Sequence, residues 1–221
     1  MFDFKEYDKV LIGIGEEFSV KIPENIGNQW DELRFLKQNV DLNIIDAYNK
    51  LAEELSESDY FIVSTCSDDV IYSSRLNAER VVTPCGGFRY LQCVDDCCNE
   101  LLPFEDSMLE MKESILCPHC KKPVVFNKMP MDKYNEGGYL EQWQLYNKWL
   151  QSTINKKLLI IELGVGMKYP TVIRFPFEKT CFYNQKAVMY RVHGSLAFST
   201  PELKERCICV SADSVEYLMK M

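Results

Sequence analysis

Residues 8–15 read DKVLIGIG, a short apolar run that ends in two glycines. A strand covered on both faces of a parallel sheet carries apolar residues without alternation, and this run is typical of such a strand. A second run of the same kind, KLLIIEL at residues 157–163, leads directly into Gly164 and Gly166. The two runs predict two core strands of one parallel sheet, each followed by a tight turn.

Four other segments predict further strands of this sheet. They are short and rich in β-branched residues, aromatic residues or cysteines, and polar or glycine-containing sequence follows them. They read YFIVSTC at residues 60–66, RVVTPC at 80–85, TCFYN at 180–184 and CICVS at 207–211.

Apolar residues at helical spacing separate the predicted strands. They predict a helix from Ile44 to Leu55 with Asn43 as its N-cap, a second helix over 140–154 and a short one from Asp213. The aromatic residues of the second helix are spaced as core residues. Strands that alternate with helices are typical of the α/β class, so we expect a Rossmann-like, doubly wound parallel sheet.

The composition limits the class of protein. A chain of 221 residues with 47% hydrophobic content can fill one core and carry an insert. The net charge of −8 argues against nucleic acid as a partner, since phosphate binding needs a basic face. Residues 1–10 lack the basic start of a secretory signal, and no apolar run approaches the roughly 20 residues that span a bilayer. We expect a cytoplasmic protein with protein partners and no membrane contact.

Cysteines, prolines and charges replace the strand and helix rhythm over residues 88–127. We predict an inserted zinc-binding module there, and a main domain built from residues 1–87 and 128–221. The candidate ligands are two close pairs, which is what four thiolates need to reach one tetrahedral Zn²⁺. The residues are Cys93, Cys97 or Cys98, Cys117 and Cys120.

The spacing of the first pair leaves Cys97 and Cys98 as alternatives, and we select Cys97. His119 lies between the ligands of the second pair and is expected to point outward. With four cysteines and no open position, the zinc is expected to be structural. Unrelated buried thiols are the alternative explanation.

The order of these motifs resembles that of the Sir2 (sirtuin) family. A glycine turn, the segment STCSD at residues 64–68, Cys85-Gly86, the cysteine pairs and ELGVG at 162–166 follow one another. Sirtuins carry a Gly-Ala-Gly turn, a Gln-Asn-x-Asp box, a His-Gly pair, a zinc knuckle and a second phosphate-binding turn in that order. ELGVG and the IRFPFE segment at 173–178 are most similar to the macrodomain-linked class M branch. The resemblance covers about residues 8–15 and 59 to the end.

The resemblance implies a site for NAD or ADP-ribose. Gly13 and Gly15 would face the pyrophosphate, and Thr65 and Asp68 would lie at the nicotinamide ribose. The adenosine side would be received by Gly164, Val165 and Gly166, with Asn184 near the adenine ribose. The alternative is that these glycines and polar strand ends only shape turns of a doubly wound sheet.

The chain departs from the family pattern at the catalytic positions. Cys85 stands where sirtuins carry a histidine base and class M proteins a glutamine, and Cys66 replaces the box asparagine. Only residues 16–42 are available for the usual cofactor loop and helical module, and a shortened lid admits water. Glu16 and Glu17 would also repel a pyrophosphate if they pointed into the turn.

We therefore expect a Sir2-like protein that binds NAD or ADP-ribose with weak or no catalysis, as a sensor or interaction module. The alternative is an active NAD-dependent ADP-ribosyltransferase, NAD hydrolase or deacylase that acts on a protein acceptor or water. Its catalytic positions would be Cys85, Cys66 and Asp68. A protein with a filled crevice and a purely structural role is the third hypothesis. We interpret His193-Gly194-Ser195, which imitates the sirtuin catalytic tripeptide, as a coincidence.

Overall fold

The computed structural model describes residues 2–111 and 115–221. The strands are β1 (Lys9–Ile14), β2 (Tyr60–Ser64), β3 (Val81–Val82), β4 (Gly86–Cys93), β5 (Leu101–Pro103), β6 (Val124–Lys128), β7 (Leu158–Leu163), β8 (Ala187–Val192) and β9 (Cys207–Val210). The α-helices are α1 (Gln29–Gln38), α2 (Leu42–Glu54), α3 (Leu140–Gln151), α4 (Arg174–Tyr183) and α5 (Ser214–Met219). No helix of these described ranges is long and apolar enough to cross a bilayer.

Six strands form the main sheet in the order β3-β2-β1-β7-β8-β9, and every neighbouring pair is parallel. Ile12 of β1 lies between Ile62 of β2 and Ile161 of β7 in the ladder. From β1 the sheet continues through β2 to β3 on one side, and from β7 it continues through β8 to β9 on the other side. The carboxyl ends of these two strands therefore flank the topological switch point, where α/β proteins place their ligands.

Helices cover both faces of the main sheet. On one face, Tyr48 and Leu51 of α2 and Leu218 of α5 are fully buried in a single apolar cluster. On the other face, Trp149 of α3 and Phe177 of α4 pack in a second cluster. The predicted doubly wound α/β sheet is thus confirmed.

Two local predictions were wrong. Residues 180–184 lie at the end of α4, and the strand of this region is β8. The buried side chains of Phe177 and Cys181 are four residues apart, which is the spacing of a helix. The N-cap of α2 is Asp41, whose carboxylate accepts hydrogen bonds from the main-chain N–H groups of Asn43 and Ile44.

A smaller antiparallel sheet has the strand order β5-β4-β6. Leu91 of β4 lies opposite Leu102 of β5 and Phe126 of β6. This sheet spans the segment predicted as an inserted module. Leu91 and Phe126 belong to a third apolar cluster. Helix α1, which precedes that segment in sequence, packs Leu33 and Leu36 into this cluster. The division of the chain into two domains at residues 88 and 127 stays a prediction.

Candidate functional site

Two glycine turns meet at the carboxyl ends of β1 and β7. The N–H of Gly15 donates a hydrogen bond to the carbonyl oxygen of Leu163 at 2.9 Å. A β-carbon on Gly15 would lie 2.4 Å from the carbonyl oxygen of Gly164, and Gly164 itself has a φ of +63°. Both positions thus require glycine, the first for close backbone approach and the second for its left-handed conformation.

The carboxylates of Glu16 and Glu17 accept hydrogen bonds from main-chain N–H groups at this edge. A turn of 3₁₀-helix begins at Glu16 directly after Gly15, and both side chains reach main-chain groups in other loops of this edge. Glu16 accepts a hydrogen bond from the N–H of Gly166 at 2.7 Å. Glu17 accepts one from the N–H of Gly194 at 2.8 Å and one from the N–H of Ser214 at 3.0 Å.

The donor set around these carboxylates suits an anion. The three N–H groups belong to the turn after β7, the loop after β8 and the start of α5. Main-chain N–H groups that converge at such an edge are the groups that hold a pyrophosphate in dinucleotide-binding proteins. Here the carboxylates of Glu16 and Glu17 accept hydrogen bonds from these groups. The two side chains therefore do point into the region where a pyrophosphate would lie.

His193 and Ser214 also lie at this edge. The Nδ1 atom of His193 accepts hydrogen bonds from the N–H groups of Ser195 and Leu196 and lies 3.1 Å from a carboxylate oxygen of Glu17. The buried hydroxyl of Ser214 has no hydrogen-bond partner within the described part of the chain. Sequence reasoning set His193 aside and overlooked Ser214, because neither belongs to a motif that points to this edge.

Cys66 lies beside the first glycine turn. Its thiol donates a hydrogen bond to the carbonyl oxygen of Gly15 at 3.1 Å, and the N–H of the preceding Thr65 donates to Ile14 at 2.9 Å. Burial raises the pKa of the Cys66 thiol to about 12. The group is therefore a neutral thiol at pH 7.

Cys85 lies in the loop between β3 and β4. Burial raises the pKa of its thiol to about 12, the nearby Lys168 lowers the pKa and the negative charge of Glu16 raises it. A thiol with this pKa is not ionised at neutral pH, so it is not equipped to accept a proton there.

The loop after β2 carries two partly buried carboxylates, Asp68 and Asp69. Asp68 accepts hydrogen bonds from the N–H groups of Val20 and Val70 at 3.0 and 3.1 Å, and burial raises its pKa. Asp69 accepts a hydrogen bond from the N–H of Phe88, and burial raises its pKa to about 6.

Both carboxylates of this loop line a cavity of about 300 Å³ that also contacts α1 and Phe88. Asp69 was not among the predicted site residues. The signal that could have found it is the acidic doublet at the end of a core strand.

The four selected cysteines converge in the small module. The sulfur atoms of Cys93, Cys97, Cys117 and Cys120 all lie within 4.8 Å of one another. The sulfur of Cys93 lies 3.4 Å from that of Cys120, and the sulfur of Cys97 lies 3.5 Å from that of Cys117. Four thiolates on one tetrahedral zinc ion, with zinc–sulfur bonds of about 2.3 Å, have sulfur–sulfur distances of about 3.8 Å. The donor set therefore fits one zinc ion and includes Cys97.

Solved sirtuin structures share this architecture. A sirtuin structure that addresses substrate affinity aligns with a TM-score of 0.61, covering 98% of this chain and 93% of that chain at 16% identity. A Sir2 variant with a p53 peptide and NAD aligns with a TM-score of 0.63, covering 98% and 93% at 17% identity. The chain has the Sir2 fold. The resemblance to sirtuins that the motif order indicated is thereby confirmed at the level of the fold.

Two curated proteins are similar in sequence to this Sir2-like chain. Protein ADP-ribosyltransferase from Staphylococcus aureus is 25% identical over 197 residues, which are 82% of this chain and 62% of that protein. A protein from Fusarium oxysporum f. sp. cubense named probable bifunctional ADP-ribose hydrolase/ADP-ribosyltransferase is 26% identical over 137 residues, 54% of this chain and 23% of that protein. The chain spans less than two thirds of the length of either relative. No protein-family model matches the sequence.

The Sir2 fold does not bring two of the predicted site residues to the switch point. Gly13 lies inside β1, where a β-carbon would be 2.4 Å from Ile173 and 2.9 Å from Phe177, so it allows α4 to pack closely. Asn184 donates hydrogen bonds to the carbonyl oxygens of Thr153 and Lys156, at the opposite edge of the sheet. Neither position suits the contact with a dinucleotide that the resemblance implied.

A buried ion network supports the second glycine turn. Arg191 of β8 donates to both carboxylate oxygens of Glu162 in β7, at 2.6 and 3.2 Å, and it also pairs with Glu178. Arg174 donates to the carbonyl oxygens of Val165 and Leu196, which joins the loops after β7 and β8. The sequence signal for this network is a charged residue inside each of two apolar strands.

Proposed function

We propose that this Sir2-like protein binds an adenine dinucleotide, NAD or ADP-ribose, at the switch point of its main sheet, with weak or no turnover. The observation that carries this proposal is the set of three main-chain N–H groups, on Gly166, Gly194 and Ser214, that converge on carboxylates. Such a set stabilises an anion without a basic side chain, because the donors are part of the backbone.

The chemistry of the two cysteines favours binding over turnover. Cys66 and Cys85 stand at the positions that the family resemblance marks as catalytic, and both thiols have pKa values raised to about 12. A general base works best when its pKa is close to the operating pH. A sensor or interaction module that acts through a protein partner is consistent with neutral thiols at these positions.

Glu16 and Glu17 hold the free site closed in this proposal. A pyrophosphate has to displace both carboxylates from their amide donors before it can bind. Hydrogen bonds to charged groups contribute about 1.5–3 kcal/mol each, so the displacement lowers the affinity for the dinucleotide. A closed resting state is compatible with a sensor that responds only to high ligand concentration.

An active NAD-dependent ADP-ribosyltransferase is the second candidate, and two observations favour it. Both similar curated proteins carry ADP-ribosyltransferase in their names. Asp69, with its pKa raised to about 6, has the proton affinity of a general base at neutral pH. In this candidate Asp69 replaces the missing histidine, and the acceptor is a protein or water.

One zinc ion on the four cysteines completes the proposal. Its role is structural, because four thiolates leave no position for water or substrate. Cys93 and Cys117 are buried at the end of the small sheet, so the metal would hold together a module with a small core of its own.

Calorimetric titration of the zinc-loaded protein with NAD and with ADP-ribose tests the binding function. Saturable heat with ADP-ribose and a thermal shift that follows it are expected. Absence of heat and of a thermal shift with both ligands would leave only a likeness of fold. Incubation with NAD separates the two candidates. Release of no more than one nicotinamide per protein chain supports binding without turnover, and continued release over many turnovers supports the enzyme.

A further inference from the structure

A second group of metal-ligating side chains lies beside the four-cysteine cluster. Its members are Cys98, Glu100 and His119, and their ligand atoms lie within 4.8 Å of one another. The Nε2 atom of His119 is 2.9 Å from a carboxylate oxygen of Glu100. Cys98 is the cysteine that the first cluster leaves out, so its thiol is available to this group.

A small space beside Cys98 and Glu100 adjoins this group. A cavity of about 10 Å³ separates this group from the four-cysteine cluster, and it is lined by Cys98 and Glu100 on one side and by Cys93 and Cys117 on the other. About one small sphere fits a volume of this size. The side chains of His119 and Glu100 are 52% and 58% exposed, so an ion can reach the group from solvent.

The chemistry of the three donors selects zinc. A thiolate, an imidazole nitrogen and a carboxylate oxygen are the three ligand types of protein zinc sites, and sites with three protein ligands keep a fourth position for water. The sulfur of Cys98 lies 3.9 Å from that of Cys117. Four thiolates around one Zn²⁺ carry a net negative charge, which attracts a second cation to an adjacent group.

The neighbouring lysines do not block the group. Lys121 donates a hydrogen bond to the carbonyl oxygen of Pro118, and Lys122 pairs with Asp95. Both ammonium groups are therefore held by oxygen atoms outside the group.

We propose that Cys98, Glu100 and His119 bind a second zinc ion that exchanges with solvent, next to the structural ion of the four cysteines. The proposal uses the four-cysteine site only as a neighbour. The second ion has an open coordination position and no fully buried ligand, so it dissociates faster than the first.

Zinc counting on the full chain tests this proposal. The protein is dialysed against excess Zn²⁺, and the zinc bound per chain is counted by mass spectrometry as the difference in metal content between the two compartments. 4-(2-Pyridylazo)resorcinol then reports the rate of zinc loss. The wild type is expected to carry two zinc ions, one lost in a fast phase and one in a slow phase. Cys98→Ser and His119→Ala each lose the fast phase and keep one ion.

Cys209→Ser is the matched control, since Cys209 is exposed and lies outside both groups. It is expected to retain both ions. One ion per wild-type chain at saturating Zn²⁺, or an unchanged fast phase in Cys98→Ser, would overturn the second site. A wild type without a slow phase would instead overturn the four-cysteine site, so the two failures are distinguishable.

Discussion

Glu16 accepts a hydrogen bond from the main-chain N–H of Gly166 at 2.7 Å, across the gap between the turns that follow β1 and β7. These two residues are 150 positions apart in sequence. Their contact occupies a donor at the switch point of the Sir2 fold. The state of the proposed site thus depends on two acidic side chains that directly follow its first glycine turn.

Neutralising the two carboxylates is expected to open the proposed dinucleotide site. In the double variant Glu16→Gln, Glu17→Gln, the affinity for ADP-ribose should rise about tenfold or more, since the ligand displaces weaker neutral hydrogen bonds. Calorimetric titration measures the change. Glu24→Gln, at an exposed position of a nearby loop, is the control and should bind as the wild type does. Equal affinities in all three proteins would contradict the closed resting state.

Asp69 is expected to make stability depend on pH. Its folded pKa is about 6 and its ordinary value is 3.8, so the folded state binds the proton more tightly than the unfolded state. The protonated carboxyl group therefore contributes to the free energy of unfolding. This stabilising contribution is complete below the unfolded pKa and is lost as the pH rises through the folded pKa. The wild type should therefore lose up to about 3 kcal/mol between pH 4 and pH 7 relative to Asp69→Asn.

Urea unfolding of both proteins across this pH range measures that difference. Asp132→Asn removes an exposed carboxylate and serves as the control, with a profile parallel to that of the wild type. If the free energy of unfolding of Asp69→Asn and of the wild type changed in parallel with pH, burial would not raise the pKa of Asp69.

Removing one member of the buried ion network is expected to destabilise the fold. Arg191→Met leaves Glu162 charged, fully buried and without its partner, which costs about 3–5 kcal/mol. The exposed pair of Arg80 with Asp59 provides the control, and Arg80→Met should cost less than about 1 kcal/mol. Denaturant unfolding tests both, and addition of Glu162→Gln to Arg191→Met should restore part of the loss. If Arg191→Met lowered the free energy of unfolding by less than about 1 kcal/mol, the buried ion network would not stabilise the fold.

Chelation of zinc is expected to loosen the small sheet while the main sheet persists. Within the described part of the chain, the segments that hold Cys93 and Cys117 pack only against the small apolar cluster that contains Leu91 and Phe126, so the metal is expected to supply much of their order. Trypsin should then cleave rapidly after Lys121, as mass spectrometry of the fragments would show; the bond after Lys122 precedes Pro123 and is resistant to trypsin. Cleavage at the same rate with and without chelator would argue against a structural ion.

The strands of the main sheet other than β8, and its glycine turns, could be read from the sequence because buried parallel strands leave short apolar runs. The segment TCFYN shows the limit of this reading. Its cysteine and aromatic residues suit a strand, but Cys181 belongs to a helix that also buries Phe177. A five-residue window is too short to distinguish a period of two from a period of 3.6.

The candidate site was predictable only in part. Gly15, Thr65, Gly164 and Gly166 could be placed at one edge, because the carboxyl ends of parallel strands share that edge. The buried network of Arg191 and Glu162 could not be assigned from sequence, because strand order decides which charged residues become neighbours.

By itself, the sequence determined the parallel sheet, its glycine turns and two cysteine pairs with the spacing of a zinc site. These features depend on residues that are close along the chain or on the repeated apolar pattern of single strands. Only the tertiary structure decided that Cys97 joins the cluster of four sulfurs and that Glu17 reaches the N–H of Ser214, 197 positions away. Such contacts follow from the order in which strands assemble, and no local pattern encodes that order.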